Sequence, residues 1–413
     1  MNILIVALNF SPEMVGCGKF TSEFVDWVSK KSTKVIVITT NPFYPEWECK
    51  NNSYNKEIKD NILIIRCPIY IPKKLNGFKR TIHYISFLIS SLPIVLFYGF
   101  KELDLAFSIC PTILSATNLI LISWIKRIFY NKKLLTWIHY ADLEIEAAFK
   151  LKYFKSQFLK KLLLKFEKNI LNNFDLISAI SHYMLDKLKS KTKYYKKAFY
   201  LPIFVETKRF NNIYSNNKGN PYYEELSLKK DKILVMYSGS INEKMACKTL
   251  INSIKNLSYR KDLIWIICGD GPHKSLLKKS LKNSNNVLFY DFQPFDKLPY
   301  WLDIADIHLI PQKLTSVEFC LPSKLLGILA IGKPVIGIAP ANSELGNILD
   351  KYGIRLPDEK SKTMTKAIIK LAENKDLRNK LSYESKNYIK RFHEKENILK
   401  NIFLEVDKLI SKD

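Results

Sequence analysis

Residues 2–8 form a run of strand length that is apolar at every position after Asn2. Such a run has no polar face to turn to water, so it is expected as a strand buried on both sides, the habit of parallel sheets. A glycine-containing loop at 9–19 follows. Next comes a helical pattern carried by Phe20, Phe24, Val25 and Val28, and then a second apolar run at 34–39. Strand, loop, helix, strand is one parallel α/β unit. Further runs of this kind stand at 62–66, 104–109, 133–138, 175–179 and 198–201, with helical stretches between them. Residues 211–231 then turn polar, beginning Asn211-Asn212-Ile213-Tyr214-Ser215-Asn216, and mark a linker. A second series follows it at 233–238, 263–268, 287–290, 307–311 and 334–338. The expectation is two doubly wound parallel-sheet domains in tandem. Domains of this kind hold ligands beyond the C-terminal ends of their strands.

Three stretches at such strand ends in the second series could hold an anion. Residues 237–244 read Tyr-Ser-Gly-Ser-Ile-Asn-Glu-Lys and put Lys244 just past a glycine turn. Cys268-Gly269-Asp270-Gly271-Pro272 follows the next run. The third stretch is 318–337, which carries Glu318, then Pro322-Ser323-Lys324, an apolar helical run, and Gly332-Lys333-Pro334. Pro322 suits a first helical turn and Gly332 the left-handed cap at the helix end. The helix start would then present free N–H groups, the Ser323 hydroxyl and the Lys324 ammonium together. Two lysines and two glycine turns at one sheet edge could hold a diphosphate without a metal and stabilise it as a leaving group. In the first series, Gly16 and Gly18 stand at a helix start where backbone can approach a phosphate. A third glycine at the dinucleotide spacing is missing, so that fingerprint is rejected. His139, in Trp137-Ile138-His139-Tyr140-Ala141-Asp142 at a strand end, is a candidate catalytic or sugar-contacting group.

The chain carries 65 Lys and Arg against 39 Asp and Glu, a formal net charge of +26, which favours anionic partners. Residues 81–100 hold no charged side chain and are long enough to span a bilayer. They nevertheless join two strands of one sheet, which a span would place on opposite sides of the membrane. A crossover helix that lays Phe87 and Leu88 against lipid headgroups fits better. Residues 150–168 place Lys150, Lys152, Lys155, Lys160, Lys161, Lys165 and Lys168 among Phe154, Phe158, Leu162 and Phe166, with Glu167 the one acid. This is a basic amphipathic helix suited to an anionic membrane surface. A second basic run takes in Lys187, Lys189, Lys191, Lys193, Lys196 and Lys197. Groove-reading motifs for nucleic acid are missing, so nucleic acid is not an expected partner. The seven cysteines are scattered without a C-x-x-C pair, which argues against a zinc site and a disulfide framework. Residues 1–7 lack the basic start of a secretory leader, so a cytosolic setting is expected.

The ordered set of motifs resembles the retaining glycosyltransferases of family 4, and among them the bacterial colanic-acid and O-antigen enzymes, including fucosyl- and fucosamine-transferases. The residues that carry the resemblance are Asn9-Phe10-Ser11-Pro12-Glu13 with Gly16-Cys17-Gly18-Lys19-Phe20-Thr21, Pro42-Phe43-Tyr44-Pro45-Glu46-Trp47, His139-Tyr140-Ala141-Asp142 and Leu201-Pro202. Later come Gly269-Asp270-Gly271-Pro272, Leu321-Pro322-Ser323-Lys324-Leu325 and Ala330-Ile331-Gly332-Lys333-Pro334. The resemblance implies a GT-B fold: two Rossmann-like parallel-sheet domains facing a cleft. It would comprise an acceptor domain over 1–205, a nucleotide-sugar domain over 206–391 and a helix over 392–413 crossing back to the first. It implies a retaining, metal-independent hexosyl-, deoxyhexosyl- or N-acetylaminosugar transferase. This enzyme would use a UDP- or GDP-sugar, need no cofactor, and work on a lipid-diphosphate-linked saccharide at the inner face of the cytoplasmic membrane.

By the same resemblance Gly16 and Gly18 lie near the donor phosphates and His139 faces the transferred sugar. Lys244 is on the diphosphate, with Gly269 and Gly271 in the donor loop. Ser323, Lys324 and Leu325 offer side chain or N–H groups to the diphosphate and nucleoside. The chain departs from the family where two Glu eight positions apart are usual. Gly327 takes the second position and Phe319 the first, with Glu318 beside it, and Ser240 replaces a frequent Arg. Two other readings fit the same sheets: a sugar-nucleotide epimerase, and a membrane-surface partner without catalysis.

Overall fold

A computed structural model describes residues 1–13, 16–44, 46–73, 76–111, 113–150, 156–192, 198–211, 220–228, 231–317 and 321–411. The chain divides into two compact units. One comprises Met1–Pro202 and Leu399–Asp413, the other Ile203–Ile398.

The first unit is built on eight strands: β1 (Asn2–Ala7), β2 (Lys34–Thr40), β3 (Asn55–Lys59), β4 (Ile62–Cys67), β5 (Leu105–Cys110), β6 (Leu135–Tyr140), β7 (Leu176–Ala179) and β8 (Ala198–Tyr200). Their order across the sheet is β3-β4-β2-β1-β5-β6-β7-β8. All pairs are parallel except β3 with β4. The strands expected from uninterrupted apolar runs are all present. The sequence did not announce β3, because Asn-Lys-Glu-Ile-Lys is polar and mostly exposed, as an edge strand permits. Its Glu57 instead pairs with the buried Arg66 of β4 at 2.7 Å.

Helices α1 (Cys17–Ser29), α2 (Gly77–Gly99), α3 (Ile113–Tyr130), α4 (Glu144–Lys150), α5 (Gln157–Leu171) and α6 (His182–Lys191) connect these strands. The helix Lys395–Ile410 brings the chain back to this unit. Leu399, Phe403 and Val406 are buried. The Phe403 ring centre stands 5.8 Å from Phe24, 5.2 Å from Trp27 and 6.3 Å from Trp137. Unit 1 is therefore closed by residues from both ends of the chain.

The second unit has six strands: β9 (Ile233–Ser238), β10 (Leu263–Cys268), β11 (Val287–Tyr290), β12 (Ile307–Ile310), β13 (Val335–Ile338) and β14 (Ile354–Leu356). Their order is β11-β10-β9-β12-β13-β14, and all pairs are parallel. Three residues are too few for β14 to show as a run in the sequence. The entry and exit of this unit are stitched together. Val205 N–H donates to His393 O at 2.8 Å, and Lys395 N–H donates to Val205 O at 3.1 Å. The unit boundaries fall at 202/203 and 398/399 rather than at 205/206 and 391/392. Much of the polar stretch read as a linker lies outside the described residues. Its described part includes a short helix, Tyr222–Glu225, whose buried Tyr222 ring packs on Trp301.

Candidate functional site

In unit 2 the strand order reverses between β9 and β12, so the loops leaving these strands flank the position where such sheets bind ligands. The two loops are closed on each other by backbone. Ala246 N–H donates to Pro311 O at 2.7 Å and Lys313 N–H donates to Lys244 O at 2.8 Å. Lys244 is further fixed by its N–H, which donates to Asn242 Oδ1 at 3.0 Å. The backbone ladder thus sets Lys244 beside Lys313, a cation the sequence reading passed over. The one signal for it was a lysine just after a strand end.

On the other side of β9 the ladder also continues past the strand ends. Gly239 N–H donates to Cys268 O at 2.9 Å, Ile241 N–H to Asp270 O at 2.8 Å, and His273 N–H to Ile241 O at 3.1 Å. Gly239, Gly269 and Gly271 have φ of 142°, 137° and 144°. A Cβ on Gly269 would stand 2.0 Å from Gly239 O, and one on Gly271 would stand 2.4 Å from Ile241 O. These two glycines, expected at the donor, are required where they are by one loop pressing on the other.

Lys324 reaches this place. A Cβ on Gly239 would lie 2.3 Å from Lys324 Nζ, and that ammonium stands 4.1 Å from the centre of the Tyr237 ring. The ring face is electron-rich and buried, a setting in which a cation is held more firmly than in water. Burial also pushes the Tyr237 phenol well above its usual range, so it stays a neutral donor to Ser240 O. The helix Lys324–Ile331 starts as expected and ends on Gly332 at φ 74°, the left-handed cap. Two details differ from expectation. Ser323 is the cap residue but its hydroxyl makes no capping bond, and it is exposed. Leu325 is fully buried and its N–H donates to Pro322 O at 3.0 Å, so that N–H is engaged within the turn rather than offered to a nucleoside. Glu318 lies outside the described residues.

In unit 1, Gly16 opens α1 at φ 57°, with nothing within 4 Å of where a Cβ would be. Gly18 is different: a Cβ there would meet Glu13 O at 2.2 Å. The Glu13 carboxylate accepts from Phe43 N and Tyr44 N at 2.7 Å each and from Asn9 Nδ2 at 2.9 Å, which pins the loop after β2. Gly18 is needed for that packing.

His139, expected to face a sugar, is instead fully buried. It stacks on Phe20 at 4.8 Å, and its Nδ1 lies 2.9 Å from Ser178 Oγ. Trp137 Nε1 donates to the same oxygen at 2.7 Å, so the Ser178 hydroxyl ties both rings together. Burial lowers the His139 pKa to about 3, so it is neutral and cannot carry a proton near neutral pH. Close by in sequence, Glu144 at the start of α4 went unremarked. Its Oε2 accepts from Ile113 N–H at 3.3 Å, and its Oε1 is buried without a partner. Burial pushes its pKa up to about 7, against the pull of Arg80. The signal was there in Asp142-Leu143-Glu144-Ile145-Glu146, acids at alternate positions after a strand. Among the described residues no group of three His, Cys, Asp or Glu side chains is placed to hold a metal ion.

The surface assignments need correction as well. Phe87 is fully buried and Leu88 is half-buried, because the stripe His83, Phe87, Ser91, Val95 faces inward: His83 packs on Phe43 and Trp47, and Ser91 Oγ accepts from Asn118 Nδ2 of α3 at 3.0 Å. The outward stripe of α2 is Ile85, Ile89, Pro93 and Phe97. On α5, Phe158 and Lys161 are exposed as expected, while Lys155 lies outside the described residues. Glu167 does not offset the lysines of α5. It is buried, accepts from Tyr140 OH at 3.2 Å, and pairs with Lys191 at 2.5 Å. Lys191, which pairs with Glu146 at 2.5 Å as well, is thereby removed from the second basic run. Lys193, Lys196 and Lys197 of that run lie outside the described residues.

Comparison with known proteins places these features in context. The family model of group 1 glycosyl transferases matches residues 222–388. Over 98% of its length the chain is 30% identical to the whole of the Escherichia coli K12 protein that bears the name colanic acid biosynthesis glycosyl transferase WcaI. Among solved structures, sucrose-phosphate synthase of Thermosynechococcus elongatus superposes with a TM-score of 0.76 at 14% identity, covering 100% of both chains. HepE of Anabaena, solved in complex with UDP, superposes with a TM-score of 0.67 at 12% identity, covering 99% of this chain and 100% of the other.

Proposed function

This chain belongs to the group 1 glycosyltransferases, and from that premise we propose that it moves a sugar from a nucleoside diphosphate sugar to a saccharide carried on a lipid diphosphate, in the synthesis of a bacterial surface polysaccharide. The observation that carries the donor side is the Lys324 ammonium, drawn in over the Tyr237 ring and against Gly239 at the switch point of unit 2. Lys244 and Lys313 on the neighbouring loops add positive charge to the same edge. The UDP held by HepE, a protein of the same fold, supports a nucleoside diphosphate as the ligand.

In the transfer, the bond from the anomeric carbon to the diphosphate oxygen breaks and its electron pair stays on the diphosphate. The acceptor hydroxyl forms the new bond to the anomeric carbon and gives up its proton to the departing diphosphate. A cation held in place before the reaction, as Lys324 is over Tyr237, stabilises the charge that grows on the leaving group without reorganisation at that moment. Anomeric retention without a metal is the form of this chemistry that the family resemblance implies. The acceptor side rests on unit 1. The outward stripe of α2 and the exposed Phe158, Leu162 and Phe166 of α5, with Lys161, Lys165 and Lys168 beside them, suit attachment to the anionic inner face of a membrane.

A panel of UDP- and GDP-sugars, read by nucleotide release in the presence of bacterial membranes, tests this reading. One donor should be consumed only when acceptor membranes are present. Lys324→Ala and Lys244→Ala should each lower kcat/KM by roughly 100-fold, the scale of losing one donor to a developing oxyanion. Unchanged transfer by both variants overturns the assignment of the diphosphate site.

A further inference from the structure

The strand order of unit 1 reverses between β1 and β5, which puts the switch point of this sheet beyond the ends of those two strands. Elements on both sides of it converge. The loop after β2 brings Trp47, α2 brings Arg80, His83 and Tyr84, and the turn after β6 brings Asp142 and Glu144. Contacts join them into one group. The Trp47 ring centre stands 5.3 Å from His83, and His83 stands 5.6 Å from Tyr84. Arg80 Nε donates to Tyr84 OH at 2.7 Å, and the Arg80 charge acts on Glu144 against the effect of burial. His83 is fully buried, while Trp47, Tyr84, Asp142 and Glu144 are half-buried and open the group to solvent.

The polar atoms left without partners at this place are of one kind. His83 Nδ1 lies 2.5 Å from Tyr70 O. A carbonyl only accepts, so Nδ1 carries the hydrogen and Nε2 is an acceptor. Burial lowers the His83 pKa, which keeps the ring neutral. Among the described residues no donor reaches His83 Nε2, Asp142 Oδ1 or Glu144 Oε1, and all three atoms are buried. Buried polar atoms are nearly always hydrogen-bonded, so three acceptors lacking donors in one group point to a ligand that brings donors. A phosphate or a carboxylate brings acceptors only, and the two acids repel it. A cationic ligand would add to the charge that Arg80 already supplies. The hydroxyls of an uncharged sugar bring donors without charge. Trp47 supplies the rest. Its φ of 58° is one that a bulky residue holds only under strain. Glu13 clamps the start of its loop through Phe43 N and Tyr44 N. An indole held in this way offers a flat apolar surface to the C–H face of a pyranose. Apolar rings with a few convergent polar groups are the make-up of a small-molecule pocket.

We propose that this end of unit 1 is the subsite for the terminal sugar of the acceptor and that it takes an uncharged pyranose. Asp142 and Glu144 accept from the sugar hydroxyls, Trp47 covers one face of the ring, and His83 beside Trp47 accepts from the hydroxyl that reaches deepest. The inference rests on the reading above in which unit 1 serves the acceptor. It adds the residues that hold the sugar, the class of sugar they hold, and two exclusions. Uronic acids and phosphorylated sugars are rejected, and the lipid diphosphate of the acceptor lies outside this group.

The test uses the intact protein at pH 8, above the Glu144 pKa of about 7, so that its carboxylate is ionised. The probes are the methyl glycosides of glucose, galactose, mannose and fucose, with methyl glucuronide as the charged counterpart, read by saturation-transfer NMR. At least one neutral glycoside should bind, and the glucuronide should not. Asp142→Asn/Glu144→Gln should weaken that binding by about 10-fold or more, the scale of losing one hydrogen bond to a charged group. Trp47→Ala, which leaves both acids in place, should weaken it as well. UDP binding should be unchanged in these variants, and an unchanged far-ultraviolet spectrum shows that unit 1 is still folded. Lys324→Ala should weaken UDP binding and leave glycoside binding as it was. The proposal is overturned if no neutral glycoside binds the wild-type protein, if the glucuronide binds equally well, or if the folded variants bind the glycoside like wild type. Loss of glycoside binding in Lys324→Ala also overturns it, because the sugar would then belong to the donor site. In each of these cases UDP binding and sugar transfer by wild type leave the proposed function standing. If wild type binds neither UDP nor any glycoside, both fail.

Discussion

Gly239 meets two demands that no other residue type satisfies together. Its φ of 142° lies where side chains are strained, and the place of its Cβ is taken by Lys324 Nζ. Gly239→Ala should therefore cost about 1–3 kcal/mol in stability through backbone strain and also displace the Lys324 ammonium. Lys324→Ala should weaken nucleoside diphosphate binding with a smaller change in the melting midpoint. Thermal shift with and without UDP separates the two effects. Two buried titratable groups of unit 1 pull stability in opposite directions with pH. His139 titrates near pH 3 when folded, below its ordinary 6.5, so the unfolded chain binds more protons between those values and stability falls as pH drops through them. Glu144 titrates near pH 7 when folded, above its ordinary 4.5, so the folded chain binds more protons in that window and stability falls as pH rises through it. Glu144→Gln should raise the melting midpoint at pH 8 more than at pH 5. A tenfold difference in proton affinity corresponds to about 1.4 kcal/mol, so a midpoint gain equal at both pH values refutes the assignment. Neither group could be read this way from the sequence, because burial of a side chain at a strand end depends on what the next helix lays over it.

At the level of elements, helices α4, α5 and α6 share one largely buried ionic junction. Lys191 of α6 meets Glu146 of α4 and Glu167 of α5, and Tyr140 at the end of β6 donates to Glu167. Burial disfavours the Lys191 charge, yet the two carboxylates hold its pKa above the usual range. Lys191→Met would leave the buried Glu167 and the half-buried Glu146 without their cation and should cost about 3 kcal/mol in denaturant unfolding. Adding Glu146→Gln and Glu167→Gln should restore much of it. The same junction explains a misreading of charge. The sequence shows α5 as basic with one compensating acid, but that acid points inward, so its described outer face is more cationic than its composition. The strands were legible because a strand buried on both faces must be apolar throughout, and only β3 and β14 escaped, one polar at an edge and one too short. The faces of α2 and α3 were not legible. Two apolar stripes on one helix look alike in sequence, and only the sheet beneath decides which is covered.

For the molecule as a whole, the tandem of doubly wound sheets could be expected from the strand pattern and the return of the last helix from the family resemblance, while the seams lay a few residues from where the resemblance put them. Phe403 is the test of that return. It sits among Phe24, Trp27 and Trp137, so Phe403→Ala should destabilise unit 1 by about 3–5 kcal/mol, with little change in the melting of unit 2. The chain leaves unit 1 after Pro202 and re-enters it at Leu399, so unit 2 is an insertion within unit 1. During synthesis, then, the unit begun first cannot be the first one finished. Phe24, Trp27 and Trp137 leave the ribosome without the ring that covers them and wait for all of unit 2 to be made, on the order of ten to forty seconds at roughly 5–20 residues per second. Unit 2, continuous in sequence, can close in that interval. Stalled nascent chains that end unit 2 at residue 398 and carry a flexible C-terminal extension long enough to clear the ribosome tunnel should therefore protect unit 2 from protease while unit 1 is still cleaved.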